Sequence, residues 1–122
     1  MSSKGDLASA ILDSASTAII LVNRDLRIKY LNPAAEQMLG VSMLHAARAQ
    51  LGRIIGKSSI VLKRVQDDIV AGRSFNQSEV LIVSKSGEHT VDVMVNRFER
   101  EGEEPLALVE MYEVNGRRRI SN

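Results

Sequence analysis

The chain has 122 residues, 44% of them hydrophobic and 25% charged, with a formal net charge of +1; this describes one globular domain and excludes a disordered or fibrous chain. No cysteine occurs, which removes disulfides, thiolate nucleophiles, zinc–thiolate and iron–sulfur sites and cysteinyl flavin adducts from this segment. Four aromatic residues, Tyr30, Phe75, Phe98 and Tyr112, are too few to build a stacking platform for single-stranded nucleic acid.

The first predicted element is a helix within residues 1–16. Asp6 can cap it, and Leu7, Ala10 and Ile11 recur at helical spacing to about Ala15. With so little apolar surface it must pack on the domain's own sheet or on the same helix of a second chain, so Leu7 and Ile11 are the candidate dimer contacts. Ala18 to Val22 is an aliphatic run ending in Asn23-Arg24-Asp25, which has turn chemistry, and residues 27–31 alternate charge with bulk. Together they predict a β-hairpin. The run Ala18 to Val22 is the longest apolar one in the chain, far short of the ~20 residues a spanning helix needs. The first residues also lack the zones of a secretory signal. The expected location is cytoplasmic, with no membrane and no nucleic-acid partner.

Asn32-Pro33 predicts a helix start, because Asn accepts from an orphan amide and Pro at the first helical position loses no bond. Gly40 supplies the stop, and Ala35, Met38 and Leu39 face inward, with Glu36 near the positive end of the dipole. Residues 43–56 carry Leu44, Ala47, Leu51 and Ile55 in a pattern compatible with one or two short helices, and Gly52 and Gly56 weaken a single long one. The clearest helix begins at Ser58 or Ser59 and ends at Ala71. Its stripe is Val61, Leu62, Val65 and Ile69; Lys63, Arg64, Gln66, Asp67 and Asp68 are assigned to water, and Gly72 follows.

The period then changes to two. Residues 79–83 predict a strand, Ser86-Gly87 a turn, and Val91, Val93 and Val95 alternate with Asp92, Met94 and Asn96 in a second hairpin. After a charged turn over 100–104, Pro105 opens a last strand over 106–114, where Leu106 and Leu108 alternate with Ala107 and Val109. Two strands, several helices and three strands make an α+β arrangement: a five-stranded antiparallel sheet with helices covering one face. Charge is uneven, with about four excess positives over 48–73, about six excess negatives over 74–113 and three arginines in the tail; these read as solvated faces that attract weakly, or as a docking surface.

Little chemistry is encoded. His45 and His89 are far apart with no second ligand at helical spacing, so neither is assigned to a metal, and both are expected to be exposed, His45 exposed or half-buried. There is no G-x-S-x-G elbow and no phosphate-cradling glycine loop, and Asp67-Asp68 and Glu103-Glu104 are neighbours that point apart or mark a solvated turn. No catalytic residue, metal site or cofactor is assigned.

Asn32-Pro33-Ala34-Ala35 followed by Leu39-Gly40, just after a hairpin containing Ile20-Leu21-Val22-Asn23 and Tyr30-Leu31, resembles the entry of a PAS domain. Phe75 to Val80, His89 to Val95, Leu108-Val109-Glu110-Met111 and Arg118-Arg119-Ile120-Ser121 resemble the N-terminal sensory domain of nitrogen-regulation histidine kinases of the NtrB type. The resemblance implies an N-terminal helix over 1–16, a PAS domain over 17–114 and, over 115–122, the start of a linker helix to kinase domains. It implies a cytoplasmic homodimeric two-component sensor whose later domains autophosphorylate a histidine and act on a response regulator under control of the P-II signal protein. Asn115, Arg118 and Arg119 are then the candidate signal-exit residues. Asn115 stands where PAS exits usually carry Asp, so a charged latch is not expected, although Asn can cap the outgoing helix.

The leading expectation is a regulatory module that dimerises and passes strain from the last strand into a coiled coil. The alternatives are a small-molecule sensor with Val91, Val93 and Val95 in its pocket wall, or a PAS module placed before a transcriptional activator. An aliphatic lining of this kind also packs without a ligand.

Overall fold

The computed structural model describes residues 17–56 and 60–114. The helix expected over 1–16, the start of the long helix at Ser58 or Ser59, and the outgoing segment 115–122 lie outside the described residues.

The chain opens with β1 (Ala18–Val22) and β2 (Ile28–Leu31), paired antiparallel. Asn23 closes the turn: its Oδ1 accepts from the amides of Asp25 and Arg27, each at 3.0 Å. Leu26 sits at φ 63°, a conformation that strains a branched residue, and it belongs to the core, where its burial offsets that strain. The second strand starts at Ile28 rather than Arg27, which instead bridges to Gln50.

Helix α1 (Pro33–Leu39) follows with Asn32 as its cap and Gly40 at φ 71° behind it. The ambiguous stretch resolves into α2 (Met43–Ala46) and α3 (Leu51–Ile55). One continuous helix is impossible because the backbone between them pairs with the first hairpin: Arg48 donates to Ile28 O, Ile28 to Ala49 O, and Leu51 to Leu26 O. Helix α4 (Ile60–Ala71) buries Val61, Val65, Asp68 and Ile69 on one side.

The remaining strands are β3 (Phe75–Ser84), β4 (Gly87–Phe98) and β5 (Leu106–Glu113). All pairings are antiparallel, in the order β2-β1-β5-β4-β3. The sheet therefore carries its last strand at the centre. One face of it takes the helices, with α1 against β1, α3 against β3, and α4 against β4 and β5. Ile20, Val22, Ile82, Val91, Val93, Val95, Ala107, Val109 and Met111 point to that face and form one aliphatic cluster with Leu39, Leu51, Ile55, Val61 and Val65. This is the expected α+β architecture. Within β5 the inward set is Ala107, Val109 and Met111, which leaves the larger Leu106 and Leu108 half-buried on the opposite face.

Candidate functional site

Two places in the fold hold polar groups that packing alone does not call for, and a third holds apolar groups that it leaves uncovered. The first is where the β3–β4 turn meets α1 and the end of β5. Ser86 Oγ donates to the Met38 carbonyl at 2.6 Å and lies 2.8 Å from His89 Nε2, while His89 Nδ1 is 3.0 Å from Glu113 Oε2. Ser84 Oγ is 2.9 Å from Ser86 Oγ. Gly40 makes the approach possible, since a Cβ there would sit 3.0 Å from Ser86 Cβ. His89 is not the exposed turn residue expected from sequence: its side chain is 17% accessible. It shares the helix-facing parity of Val91, Val93 and Val95, so the strand turns it inward. The order Ser, His, carboxylate matches the hydrogen-bond sequence of a hydrolytic triad. In this arrangement the Ser86 hydroxyl donates to the Met38 carbonyl rather than to the ring.

His45 is exposed, as expected, with Nδ1 2.9 Å from the Oγ of Ser42, the cap of α2. It borders a cleft of about 610 Å³ shared with Glu36 and Lys85. Glu36 is already engaged there, accepting from the Met43 amide at 2.6 Å. Among the described residues no cluster of His, Asp and Glu could hold a metal.

The second place is Asp68. Assigned to water from its sequence neighbourhood, it is instead 1% exposed, and neither carboxylate oxygen has a hydrogen-bond partner. The reason is helical phase: with Val61, Val65 and Ile69 it completes the i, i+4, i+7, i+8 stripe that faces the sheet. Burial pushes its carboxyl above the ordinary value near 3.8, opposed in part by the charge of Arg97. That guanidinium makes no hydrogen bond to Asp68, and its Nε is bonded to Glu99 Oε2 at 2.6 Å. The folded state thus holds the Asp68 proton more tightly than the unfolded chain does. The destabilisation is absent at pH values below the unfolded value and grows as pH rises through it toward the folded one. Asp68→Asn is expected to raise stability at neutral pH by about 1–2 kcal/mol, with the gain fading toward pH ~3.5. Urea unfolding at both pH values checks this, and an equal effect at both would refute it.

The third place is the outer face of the sheet. Leu81 and Val83 on β3 are 53% and 50% exposed, and Met94 and Tyr112 are also open. Leu21, Tyr30 and Leu108 form one cross-strand row on the same face, but there Leu21 is buried and Tyr30 and Leu108 are half-buried; Ile19 in the next row is buried too, opposite Glu110, which in turn faces Met94. The candidate dimer contacts Leu7 and Ile11 and the exit candidates Asn115, Arg118 and Arg119 lie outside the described residues. Val91, Val93 and Val95, the candidate pocket wall, are packed into the aliphatic cluster.

The family model described as PAS domain matches residues 8–80. The sensory histidine kinase/phosphatase NtrB of Klebsiella oxytoca is 31% identical over 114 residues, which is 93% of this chain and 32% of that protein. Its counterpart in Escherichia coli O157:H7 is 30% identical over the same shares. The chain therefore spans about a third of the length of these relatives. Among solved structures, the PAS domain of nitrogen regulation protein NR(II) from Vibrio parahaemolyticus superposes with a TM-score of 0.75 at 28% identity, over 88% of this chain and 97% of that one. The Asn32-capped helix, the helices on one face and the sheet with its last strand in the middle are thus those of a known fold: the chain belongs to the PAS domain family.

Proposed function

We propose that this PAS domain is the regulatory sensory module of a nitrogen-regulation two-component histidine kinase. It dimerises through the outer face of its sheet together with Leu7 and Ile11 of the N-terminal segment. It then hands packing changes through β5 to the segment that follows, with Asn115, Arg118 and Arg119 as the signal-exit residues. Two arrangements of the paired domains bias downstream phosphoacceptor and ATP-binding domains between kinase and phosphatase geometries, a population shift in which the domain itself makes and breaks no bonds. The setting is cytoplasmic, with the P-II signal protein and a response regulator as partners of the whole protein. Among the described residues no helix is long and apolar enough to cross a membrane.

The observation that carries this reading is the position of β5. It is hydrogen-bonded to β1 on one side and β4 on the other, its inward residues pack in the core, and it is the last described element in chain order. A shift in either half of the sheet therefore reaches the outgoing chain. The exposed Leu81, Val83, Met94 and Tyr112 on the outer face, with the half-buried Leu108 among them, support a symmetric partner there, and in such a dimer each residue counts twice.

Sedimentation equilibrium tests the assembly. The chain is expected to dimerise, and Leu108→Glu is expected to weaken the dimer by at least about a hundredfold, since a buried leucine contributes roughly 1.5–3 kcal/mol per side and each 1.4 kcal/mol is tenfold. A strictly monomeric wild-type chain at high concentration would sink the proposal.

A further inference from the structure

The contacts around Ser86 and His89 are set by a proton count. Three run in series: Met38 O to Ser86 Oγ, Ser86 Oγ to His89 Nε2, and His89 Nδ1 to Glu113 Oε2, at 2.6, 2.8 and 3.0 Å. Each needs one proton between its heavy atoms. The Met38 carbonyl and an ionised Glu113 bring none, Ser86 brings one, and His89 brings two when charged but one when neutral. Only the imidazolium completes the series. In that form Ser86 Oγ donates to Met38 and accepts from His89, and its second lone pair is open to the Ser84 hydroxyl.

We infer that His89 is a proton-operated tie between α1 and the end of β5, and that loss of its proton moves the Ser86 hydroxyl from the Met38 carbonyl to the His89 ring. Bond strength decides which contact is surrendered. An N–H bonded to a carboxylate is about twice as strong as a neutral pair, so the neutral ring keeps its remaining proton toward Glu113. Nε2 then presents a lone pair, and the Ser86 hydroxyl turns to it. Met38 O and Ser86 Oγ are left close together with no proton between them, and they separate. Met38 lies in the last turn of α1, where carbonyls lack an intrahelical partner, so this movement frees the C-terminal turn of the helix.

The charged surroundings leave Glu113 as the group facing the ring. Glu88 alternates to the other face of β4, Lys85 is exposed in the turn, and on α1 the Glu36 carboxylate is held by the Met43 amide. On β3, Glu79 lies beyond the bulge near Asp92; on α2, His45 is turned to Ser42.

The test is an NMR titration of the chain carrying His45→Gln, which leaves His89 as its single histidine. Nitrogen-15 in the ring reports the proton, and a carbon-13 carbonyl label at Met38 reports the tie. The Met38 signal is expected to move with the same midpoint as the His89 ring. In Ser86→Ala the ring still titrates while the Met38 response disappears. A Met38 carbonyl that stays flat as His89 titrates, or one that responds equally in Ser86→Ala, overturns the inference. Should Ser86→Ala lose its dispersed spectrum, His89→Gln takes its place, and a Met38 titration that persists there is equally fatal. The tie does not depend on dimerisation, so either proposal can fail without the other.

Discussion

Val93→Asp is expected to abolish the cooperative unfolding transition at neutral pH. Val93 is 1% exposed at the middle of β4, paired with Gln77 on one side and Met111 on the other, and its side chain enters the aliphatic cluster under α4. A carboxylate there has no partner to find. Losing the valine's burial costs about 1.5–3 kcal/mol, and desolvating the new group adds several more. The sum approaches the entire stability of a domain of this size, roughly 5–15 kcal/mol. Val93→Thr keeps the shape and adds one hydroxyl, so it is expected to lose about 1–3 kcal/mol and remain folded. Circular dichroism during urea unfolding separates the three proteins, and an unchanged midpoint in Val93→Asp would mean that β4 is read one residue out of register.

The second large effect is expected at Asn32, a buried polar residue that joins three segments. Its Oδ1 accepts from the Ala35 amide, capping α1, and from the Ile19 amide in β1, both at 2.9 Å. Its Nδ2 donates to the Thr17 carbonyl at 2.8 Å. Asn32→Ala strands two amides and one carbonyl, and at about 1–3 kcal/mol for each buried orphan the expected loss is at least about 3 kcal/mol. Ser in its place is a good cap but too short to reach β1, so it is expected to recover only about 1 kcal/mol. If Ser restored full stability, the ties to Ile19 and Thr17 would be worthless. Faster exchange of the Ile19 amide in both variants would locate the damage in β1.

That double duty shows what was legible beforehand. Asn32-Pro33 and Gly40 bound α1 as expected from capping chemistry, because those preferences are local. The sheet, the second hairpin and the one-sided helical cover followed from periodicity. What sequence could not show was the second partner of each polar residue. Nothing within a few positions of Asn32 announces the bond to Ile19, thirteen residues back. Asp68 was misplaced because an acidic pair reads as solvated, although its position on the helical stripe was available as a signal. His89 was misplaced because a residue near a turn reads as exposed; counting back by twos from Val91 would have put it inside. In β3 the strand begins at Phe75 rather than residue 79, since Ser78 and Glu79 together oppose Asp92 in a bulge that resets the alternation. Glu79 takes φ 56° there, a conformation no propensity assigns to it.

The position of the last strand also governs how the molecule is made. During synthesis the β1–β2 hairpin emerges early and the β3–β4 hairpin late, yet the two are not hydrogen-bonded to each other: they become one sheet only when residues 106–113 slot between them. Until then β1 and β4 each present an unsatisfied edge able to pair with a stranger. Closure must await nearly the whole domain and depends on contacts between distant residues, conditions that slow folding. A ribosome stalled before Leu106 would therefore hold two adhesive halves rather than a smaller, working domain.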